Sequence, residues 1–252
     1  MNTHRFYISR EQWNPSALIL RGSEAHHCID VLRLDVGARV IVFDGCGTEI
    51  TGEIVKVGKG QVQLKALLMS KSELLRCALT LAQAVPKGKN MDLIIQKATE
   101  LGVSRIVPLL SERTAVRLDE KEARKKREKW QQIVIEAAKQ CGQNWLPEVA
   151  APVAPKQFFT ELGRYETRLI ASLQDDAQSF QTVFTDFREH HGRQPASALV
   201  LVGPEGDFTP AESSLARSAG CIPVTLGPIV LRAETAAIYS LSVLVYELQG
   251  VK

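Results

Sequence analysis

The chain has 252 residues, of which 45% are hydrophobic and 23% are charged, and its formal net charge is +3. This composition excludes a disordered chain, and no apolar stretch approaches the roughly 18 residues that span a membrane. The N-terminal sequence MNTHRFYISR lacks the apolar run of a secretion signal, so we expect a soluble, cytoplasmic protein.

Residues 1–72 consist of short strand-like segments separated by turns that contain glycine: HRFYIS, ALILRG, ARVIVFDG and EITGEIVKVGKGQVQLKALLM. One helical segment, SEAHHCIDVLRL, interrupts them, and Ser23 is its predicted N-cap. Several strands at short spacing predict a small β-barrel. The polar sequence SKSE at residues 70–73 marks the predicted boundary with a second domain, residues 73–252.

Residues 73–252 alternate between strand-like and helix-like segments, as in CALTLAQAV followed by KNMDLIIQKATELGV. This alternation predicts an α/β domain with a mostly parallel sheet and helices on both faces. Residues 146–165, which contain three prolines, are predicted to be a connector. The last predicted helix carries one apolar stripe, formed by Ile238, Leu241, Leu244, Val245 and Leu248.

The cysteines and histidines give no sign of a metal site or a disulfide framework. The five cysteines are scattered and contain no C-x-x-C pair, and the pairs His26–His27 and His190–His191 are adjacent in sequence. We therefore expect reduced thiols and no bound metal.

The middle of the chain is basic. Residues 76–145 hold 14 Lys and Arg against 8 Asp and Glu, a local balance of +6. This segment is a candidate surface for nucleic acid, although the run EKEARKKREKW is equally typical of the solvated face of a helix.

Two loops that follow predicted strands are candidates for ligand binding, because ligands of α/β sheets bind beyond the carboxyl ends of the strands. The first is LVLVGPEGDFTPAE, in which Gly203 and Gly206 allow a ligand to approach the backbone. Thr209, Pro210 and Glu212 have the spacing of a capping box at a helix start. The alternative is a plain connection between strand and helix.

The second loop is VTLGPIVLRAETAA, in which a strand ends at Gly227 and a helix begins near Arg232. Arg232 and Glu234 are charged residues in an otherwise apolar segment. They are candidate functional side chains, and the alternative is a structural salt bridge at the helix start.

Taken together, GPEGDFTPAE and LGPIVLRAETAA resemble the paired C-terminal signature of the bacterial 16S rRNA uridine-N3 methyltransferases, which belong to the SPOUT class. The segments QKATELGVSRIVPLLSERT and EAAKQCGQNWLPEV resemble the family's upstream motifs, and HHCIDVLRL and VIVFDG resemble its PUA-like N-terminal domain. Three positions depart from the family pattern: Asp207 replaces a usual glycine, Gln143 a frequent arginine, and ETAA the frequent ETTA.

The resemblance implies an S-adenosylmethionine-dependent enzyme that methylates a uridine of 16S rRNA, with a C-terminal trefoil knot and a homodimeric assembly. It implies that the loops after strands LIASL, LVLVG and VTLG surround the cofactor. The candidate cofactor-binding residues are Leu173, Leu201, Val202, Gly203, Glu205, Gly206, Leu226, Gly227, Leu231, Arg232 and Ala236.

Uridine N3 carries a proton, so the reaction needs both charge stabilisation and a proton acceptor. Arg232 is the first candidate to stabilise charge on the uracil oxygens. Its own pKa, above about 12, makes it a poor base. Glu234 and Glu205 are the candidate acceptors. The candidate RNA-binding residues are Arg5 and Arg33 in the N-terminal domain and Lys87, Lys89, Arg113 and Arg117 in the basic segment.

Three other functions remain open from the sequence. The first is a ribose 2′-O-methyltransferase of the same class, and the second is a non-catalytic RNA-binding factor in ribosome assembly. The third is a phosphate-binding enzyme that uses the helix beginning at Thr209. The absence of phosphate-loop residues makes this third function the weakest.

Overall fold

The computed structural model describes residues 3–114 and 118–250, and these residues form two compact units. The first unit comprises the described residues up to residue 74 together with Ile135–Leu146, and the second comprises the remainder. Among the described helices, none combines the length and hydropathy of a membrane span.

The first unit is built on a five-stranded sheet in the order β1-β3-β4-β5-β2. Its β1 and β3 are parallel, and the other neighbouring strands are antiparallel. Side chains that alternate along the strands, such as Phe6, Val40 and Val42, are fully buried in its apolar core. The strands are β1 (Arg5–Tyr7), β2 (Leu18–Arg21), β3 (Arg39–Phe43), β4 (Thr48–Gly58) and β5 (Gln61–Lys71).

The helical segment between β2 and β3 begins earlier than predicted. Helix α1 (Gly22–His26) has Arg21 as its N-cap and continues into a π-helical turn, His27–Val31. The prediction that Ser23 caps this helix is wrong, because Gly22 adopts a φ of 54° and the chain turns directly from β2 into the helix.

The second unit contains a six-stranded sheet in the order β11-β9-β10-β6-β7-β8, in which every strand pairing is parallel. The predicted α/β architecture with a parallel sheet is confirmed. The strands are β6 (Ala78–Ala84), β7 (Arg105–Leu109), β8 (Glu148–Val149), β9 (Thr167–Ala171), β10 (Ser197–Val202) and β11 (Ile222–Val224).

Helices cover both faces of this sheet. Apolar residues of α4 and α6 share one core with alternate strand residues, including Leu199 and Leu201. Helix α7 packs on β6 and β10, and α2 and α5 pack on α7. The helices are α2 (Asn90–Glu100), α3 (Glu120–Cys141), α4 (Pro155–Phe158), α5 (Phe180–His191), α6 (Pro210–Ser218) and α7 (Ala233–Leu248).

Two predictions about this unit have different outcomes. Leu241, Leu244 and Leu248 are buried along α7, as the apolar stripe predicted. Residues 146–165, however, are no simple connector, because they contain β8, α4 and a 3-10 helix at Phe159–Arg164. Phe158 and Phe159 of this segment belong to the core.

Strand β10 is buried and leads directly into the first candidate loop. Its residues 198–202 are all buried, and each large aliphatic side chain buried in this way contributes about 1.5–3 kcal/mol to stability. The loop that begins at Gly203 is therefore anchored at its first residue.

Candidate active site

A cleft lies at the carboxyl ends of β9, β10 and β11. These three strands are neighbours in the sheet, so the loops that follow them meet at one edge. The cleft is open to solvent, and its empty space is about 590 Å³ when the solvent at its mouth is included. Residues 171–173 line it from the first loop, residues 202–205 from the second and residues 226–231, except Pro228, from the third.

The structure brings most of the predicted cofactor-binding residues to this cleft. Those that line it are Leu173, Val202, Gly203, Glu205, Leu226, Gly227, Leu231 and Ala236. The two glycine turns, at Gly203 and Gly227, therefore face the same space.

Three predicted residues do not line the cleft: Leu201, Gly206 and Arg232. Leu201 is fully buried and packs in the core beneath the loop, because side chains alternate along a strand and its neighbour Val202 points the other way. Gly206 lies on the outer side of its loop, where its carbonyl oxygen accepts a hydrogen bond from Arg113 Nη1 at 2.5 Å.

The conformation of Asp207 explains how an aspartate can replace the glycine that is usual in the family at this position. Its φ is 59°, in the left-handed region that favours glycine, and its backbone N–H donates to Pro204 O at 2.9 Å. Its Oδ1 accepts a hydrogen bond from the backbone N–H of Phe208 at 2.7 Å. Aspartate tolerates this conformation because its side chain bonds to the local backbone.

Gly203 is required by this turn. A Cβ atom at Gly203 would lie 2.9 Å from Oδ1 of Asp207 and 3.2 Å from the backbone nitrogen of Phe208. The helix after the loop starts as predicted, since Thr209 and Glu212 form a capping box with Pro210 in the first turn. The loop is thus held at both ends.

Seven lining residues were not predicted from the sequence: Ala171, Ser172, Pro204, Asp207, Ile229, Val230 and Ala233. Ile229 and Val230 are each 73% exposed. The sequence contained one indication that Ile229 and Val230 are functional: they belong to an apolar run inside a loop, between Gly227 and Arg232, where polar residues are usual.

Arg232 and Glu234 lie at the start of α7 but make different contacts. Arg232 is the N-cap residue, and its exposed side chain makes no capping hydrogen bond. Glu234 is half-buried and accepts a hydrogen bond from Asn90 Nδ2 at 3.1 Å. The ion pairs of the described residues do not include one between Arg232 and Glu234, so the structural salt bridge is not formed.

Strand β6 and the loop that follows it are bonded to the second cleft loop. Gln83 is fully buried, and its Nε2 lies 2.9 Å from Ala84 O and 3.4 Å from each of the carbonyl oxygens of Val202 and Gly203. The backbone N–H of Lys87 donates to Glu205 Oε1 at 2.9 Å. These contacts fix the second cleft loop against its neighbouring strand.

Arg5, one of the predicted RNA contacts, is held in an ion pair, and its contact with RNA stays a prediction. Only 12% of its side chain is exposed, and its guanidinium pairs with Glu49 at 2.8 Å and bonds to Asn144. Burial raises the pKa of Glu49, but the hydrogen bonds from Arg5 and Asn144 outweigh this effect and leave the pKa below its usual value. Arg5 therefore has a structural ion-pair role.

The other predicted RNA contacts that fall on described residues are exposed: Arg33, Lys87, Lys89 and Arg113. Arg33 adopts a φ of 53°, which is rare for a residue with a side chain. Arg117 lies outside the described residues. Within residues 3–114 and 118–250, no group of three His, Cys, Asp or Glu side chains is arranged to hold a metal ion.

Comparison with known proteins identifies the family. Residues 73–245 match the family described as RNA methyltransferase domain, and residues 20–67 match the RNA methyltransferase PUA domain. Ribosomal RNA small subunit methyltransferase E of Bacillus subtilis is 31% identical over 233 residues, covering 90% of this chain and 89% of the relative. The chain belongs to the ribosomal RNA small subunit methyltransferase E family.

Other members of the family support this assignment. The methyltransferase E of Synechocystis is 34% identical and covers 95% of this chain and 76% of its own length. A methyltransferase structure from Legionella pneumophila in complex with the cofactor SAM is 35% identical, with a TM-score of 0.86 and 97% coverage of both chains. The Neisseria gonorrhoeae methyltransferase E bound to S-adenosyl methionine is 30% identical, with a TM-score of 0.84 and coverage of 96% and 97%.

Proposed function

We propose that this protein transfers a methyl group from S-adenosylmethionine to N3 of a uridine in 16S rRNA. The observation that carries the proposal is the single cleft enclosed by the loops after β9, β10 and β11. Relatives in this family have been solved with S-adenosylmethionine bound and are named for methylation of small-subunit rRNA.

The residues of the cleft fit the cofactor. Leu226, Val230 and Leu231 give the cleft apolar side chains that would pack against an adenine ring, and backbone groups of the glycine turns would bond to its polar atoms. Gly227 has a φ of 106° and open space where a Cβ would stand, so a ligand can approach its backbone closely. Bound there, S-adenosylmethionine supplies an electrophilic methyl group.

Arg232 is the residue that stabilises the developing charge. Methylation forms a bond between uracil N3 and the methyl carbon, breaks the carbon–sulfur bond and releases the N3 proton. Negative charge develops on the uracil oxygens as the proton leaves, and a guanidinium is a strong donor to them. Arg232 is exposed and lies between two lining residues, Leu231 and Ala233, so its side chain is free to reach the base.

Glu234 and Glu205 are the candidate proton acceptors. Each already accepts a hydrogen bond, Glu234 from Asn90 and Glu205 from Lys87. Of the two, only Glu205 lines the cleft, whereas Glu234 follows Arg232 closely in α7. We rank both below Arg232 in their effect on turnover.

The target base must leave its stack, at a cost of a few kcal/mol, so the enzyme has to hold the surrounding RNA. The PUA domain and the exposed basic residues Arg33, Lys87, Lys89 and Arg113 are the proposed RNA contacts. We expect RNA affinity to fall steeply as the salt concentration rises. In Arg33→Ala, the slope of log affinity against log salt concentration should decrease by about 1, the value for one lost phosphate contact.

The proposal includes three further properties. The C-terminal segment forms a trefoil knot, the enzyme acts as a homodimer, and it modifies the small ribosomal subunit in the cytoplasm. Two exposed tyrosines of α7, Tyr239 and Tyr246, are the proposed contacts to a second copy of the chain.

The direct test is to incubate the protein with labelled S-adenosylmethionine and small ribosomal subunits that lack the modification. We expect label on one uridine base, and mass spectrometry of the digested RNA separates a methylated base from a methylated ribose. Label on a ribose would support the 2′-O alternative, and no cofactor binding by folded protein would contradict any methyltransferase function.

A further inference from the structure

A second cavity, which we call the side groove, lies next to the cofactor cleft. It is open to solvent, and its empty space is about 1350 Å³ when the solvent at its mouth is included. The side groove is bounded by Arg113, by the loop after β9 at residues 172–176, and by the first turns of α6 with Phe208, Ser213, Ser214 and Arg217.

The side groove adjoins the cleft. Ala171, Ser172 and Asp207 line both cavities, so the same backbone forms the wall between them. Arg113 lines the side groove close to this boundary, and its Nη1 donates to the carbonyl oxygen of Gly206 on the outer side of the second cleft loop. The other N–H groups of its exposed guanidinium are not used in a hydrogen bond or ion pair with any described residue.

The lining of the side groove mixes hydrogen-bond donors and acceptors. Arg217 forms a two-point ion pair with Asp176, one contact being 2.9 Å, and this hydrogen bonding lowers the pKa of Asp176. Asp175 has no cationic partner among the described residues. Two carboxylates beside two guanidiniums disfavour a run of phosphates, whereas a neutral nucleobase, with donors and acceptors on one edge, matches such a surface.

We propose that the side groove receives the unstacked target nucleotide, with Arg113 donating to it at the junction with the cofactor cleft. This inference rests on the proposed methyltransferase function. A methyl acceptor has to approach the cofactor in line and at close range. With the cofactor in the cleft, the acceptor would enter from adjoining space, and the side groove adjoins the cleft at Ala171, Ser172 and Asp207.

The test blocks the side groove without touching the cleft. Ser214→Trp places a large side chain on the exposed surface of α6 inside the groove, and Ser218→Trp places the same side chain on the same helix outside it. Each variant is measured for S-adenosylmethionine affinity by calorimetry, for thermal unfolding and for methyl transfer to unmodified small subunits.

We expect Ser214→Trp to lower kcat/KM for the subunit at least about tenfold while the cofactor Kd stays within about twofold, and Ser218→Trp to change neither. Equal transfer by the two variants would overturn the proposal. Loss of cofactor affinity in Ser214→Trp alone would also overturn it, because the groove would then hold part of the cofactor.

A second variant covers the case in which Ser214→Trp fails to fold. Arg113→Gln keeps a hydrogen-bond donor for Gly206 O but removes the charge, and we expect a raised KM for the subunit with an unchanged cofactor Kd. An unchanged KM in a folded variant would contradict the assignment of Arg113. Failure of the proposed methyltransferase function would give a different result, because the protein without any substitution would then transfer no methyl group.

Discussion

The backbone N–H of Lys87 and the carboxylate of Glu205 are joined by a 2.9 Å hydrogen bond, which links the loop after β6 to a loop of the cofactor cleft. Glu205→Ala removes this acceptor, and one exposed hydrogen bond is worth about 0.5–1.5 kcal/mol. Because the bond holds a loop of the cleft in place, we expect its loss to lower S-adenosylmethionine affinity by about threefold to tenfold in calorimetric titration. A free-energy difference of 1.4 kcal/mol corresponds to about tenfold in affinity.

Glu205→Gln is the matched control for this prediction. The amide oxygen of glutamine still accepts the hydrogen bond from Lys87, so cofactor affinity should remain near that of the unmodified protein. A variant that binds cofactor normally but no longer transfers methyl groups would instead identify Glu205 as the proton acceptor.

Arg232→Ala is expected to lower kcat by about 10²–10³, because it removes a donor to the oxygen on which charge develops. Cofactor affinity should stay within about twofold, since the Arg232 side chain does not line the cleft. Arg193→Ala is the control. Arg193 pairs with Glu166, which directly precedes β9 and therefore lies at the amino end of that strand, opposite the cleft. Unchanged turnover in Arg232→Ala would remove this residue from the mechanism.

Substitutions at Asp207 test the left-handed turn. Asp207→Gly relieves the φ of 59° but loses the hydrogen bond to Phe208, so we expect the free energy of unfolding to change by less than about 1 kcal/mol. Asp207→Val places a β-branched residue in the same conformation and should destabilise by about 1–3 kcal/mol. Urea unfolding compares the two, and equal stability would show that the turn tolerates any residue.

The ion pair of Arg5 and Glu49 predicts a pH dependence of stability. The pKa of Glu49 in the folded protein is lower than its usual value of 4.5, so the carboxylate stabilises the fold above that value. This contribution is lost as the pH falls through the lowered pKa of the folded state. The difference in unfolding free energy between the unmodified protein and Glu49→Gln should therefore be larger at pH 7 than at pH 3.

Urea unfolding at both pH values provides the measurement. Asp30→Asn offers a control, since Asp30 is exposed and its partner His26 is exposed as well. If the difference in unfolding free energy between the unsubstituted protein and Glu49→Gln does not change with pH, the carboxylate of Glu49 is not held by Arg5 in solution.

The sequence predicted those parts of the structure that depend on local patterns. The alternation of strands and helices after residue 73, the capping box at Thr209 and the glycine turns at Gly203 and Gly227 were all recognisable, because each has a local physical cause. The family signature added the cofactor and the kind of substrate.

The remaining features depend on contacts between distant residues. The burial of Arg5 requires Glu49 and Asn144, which lie 44 and 139 positions away. Which residues of a loop face the cleft also follows from strand alternation in three dimensions, and for this reason Leu201 lies in the core while Ala171 lines the site. The order of the strands, which makes β9 the neighbour of both β10 and β11, cannot be read from any local pattern.

The positions of the cleft residues along the chain have a consequence for its synthesis. The walls of the cleft come from residue 171 onwards and are completed only by Ala233 and Ala236 of α7, close to the C-terminus. A nascent chain that has not yet released this last helix from the ribosome lacks one side of the cavity. Cofactor binding thus requires α7, and a truncation before residue 233 should produce a chain unable to retain S-adenosylmethionine.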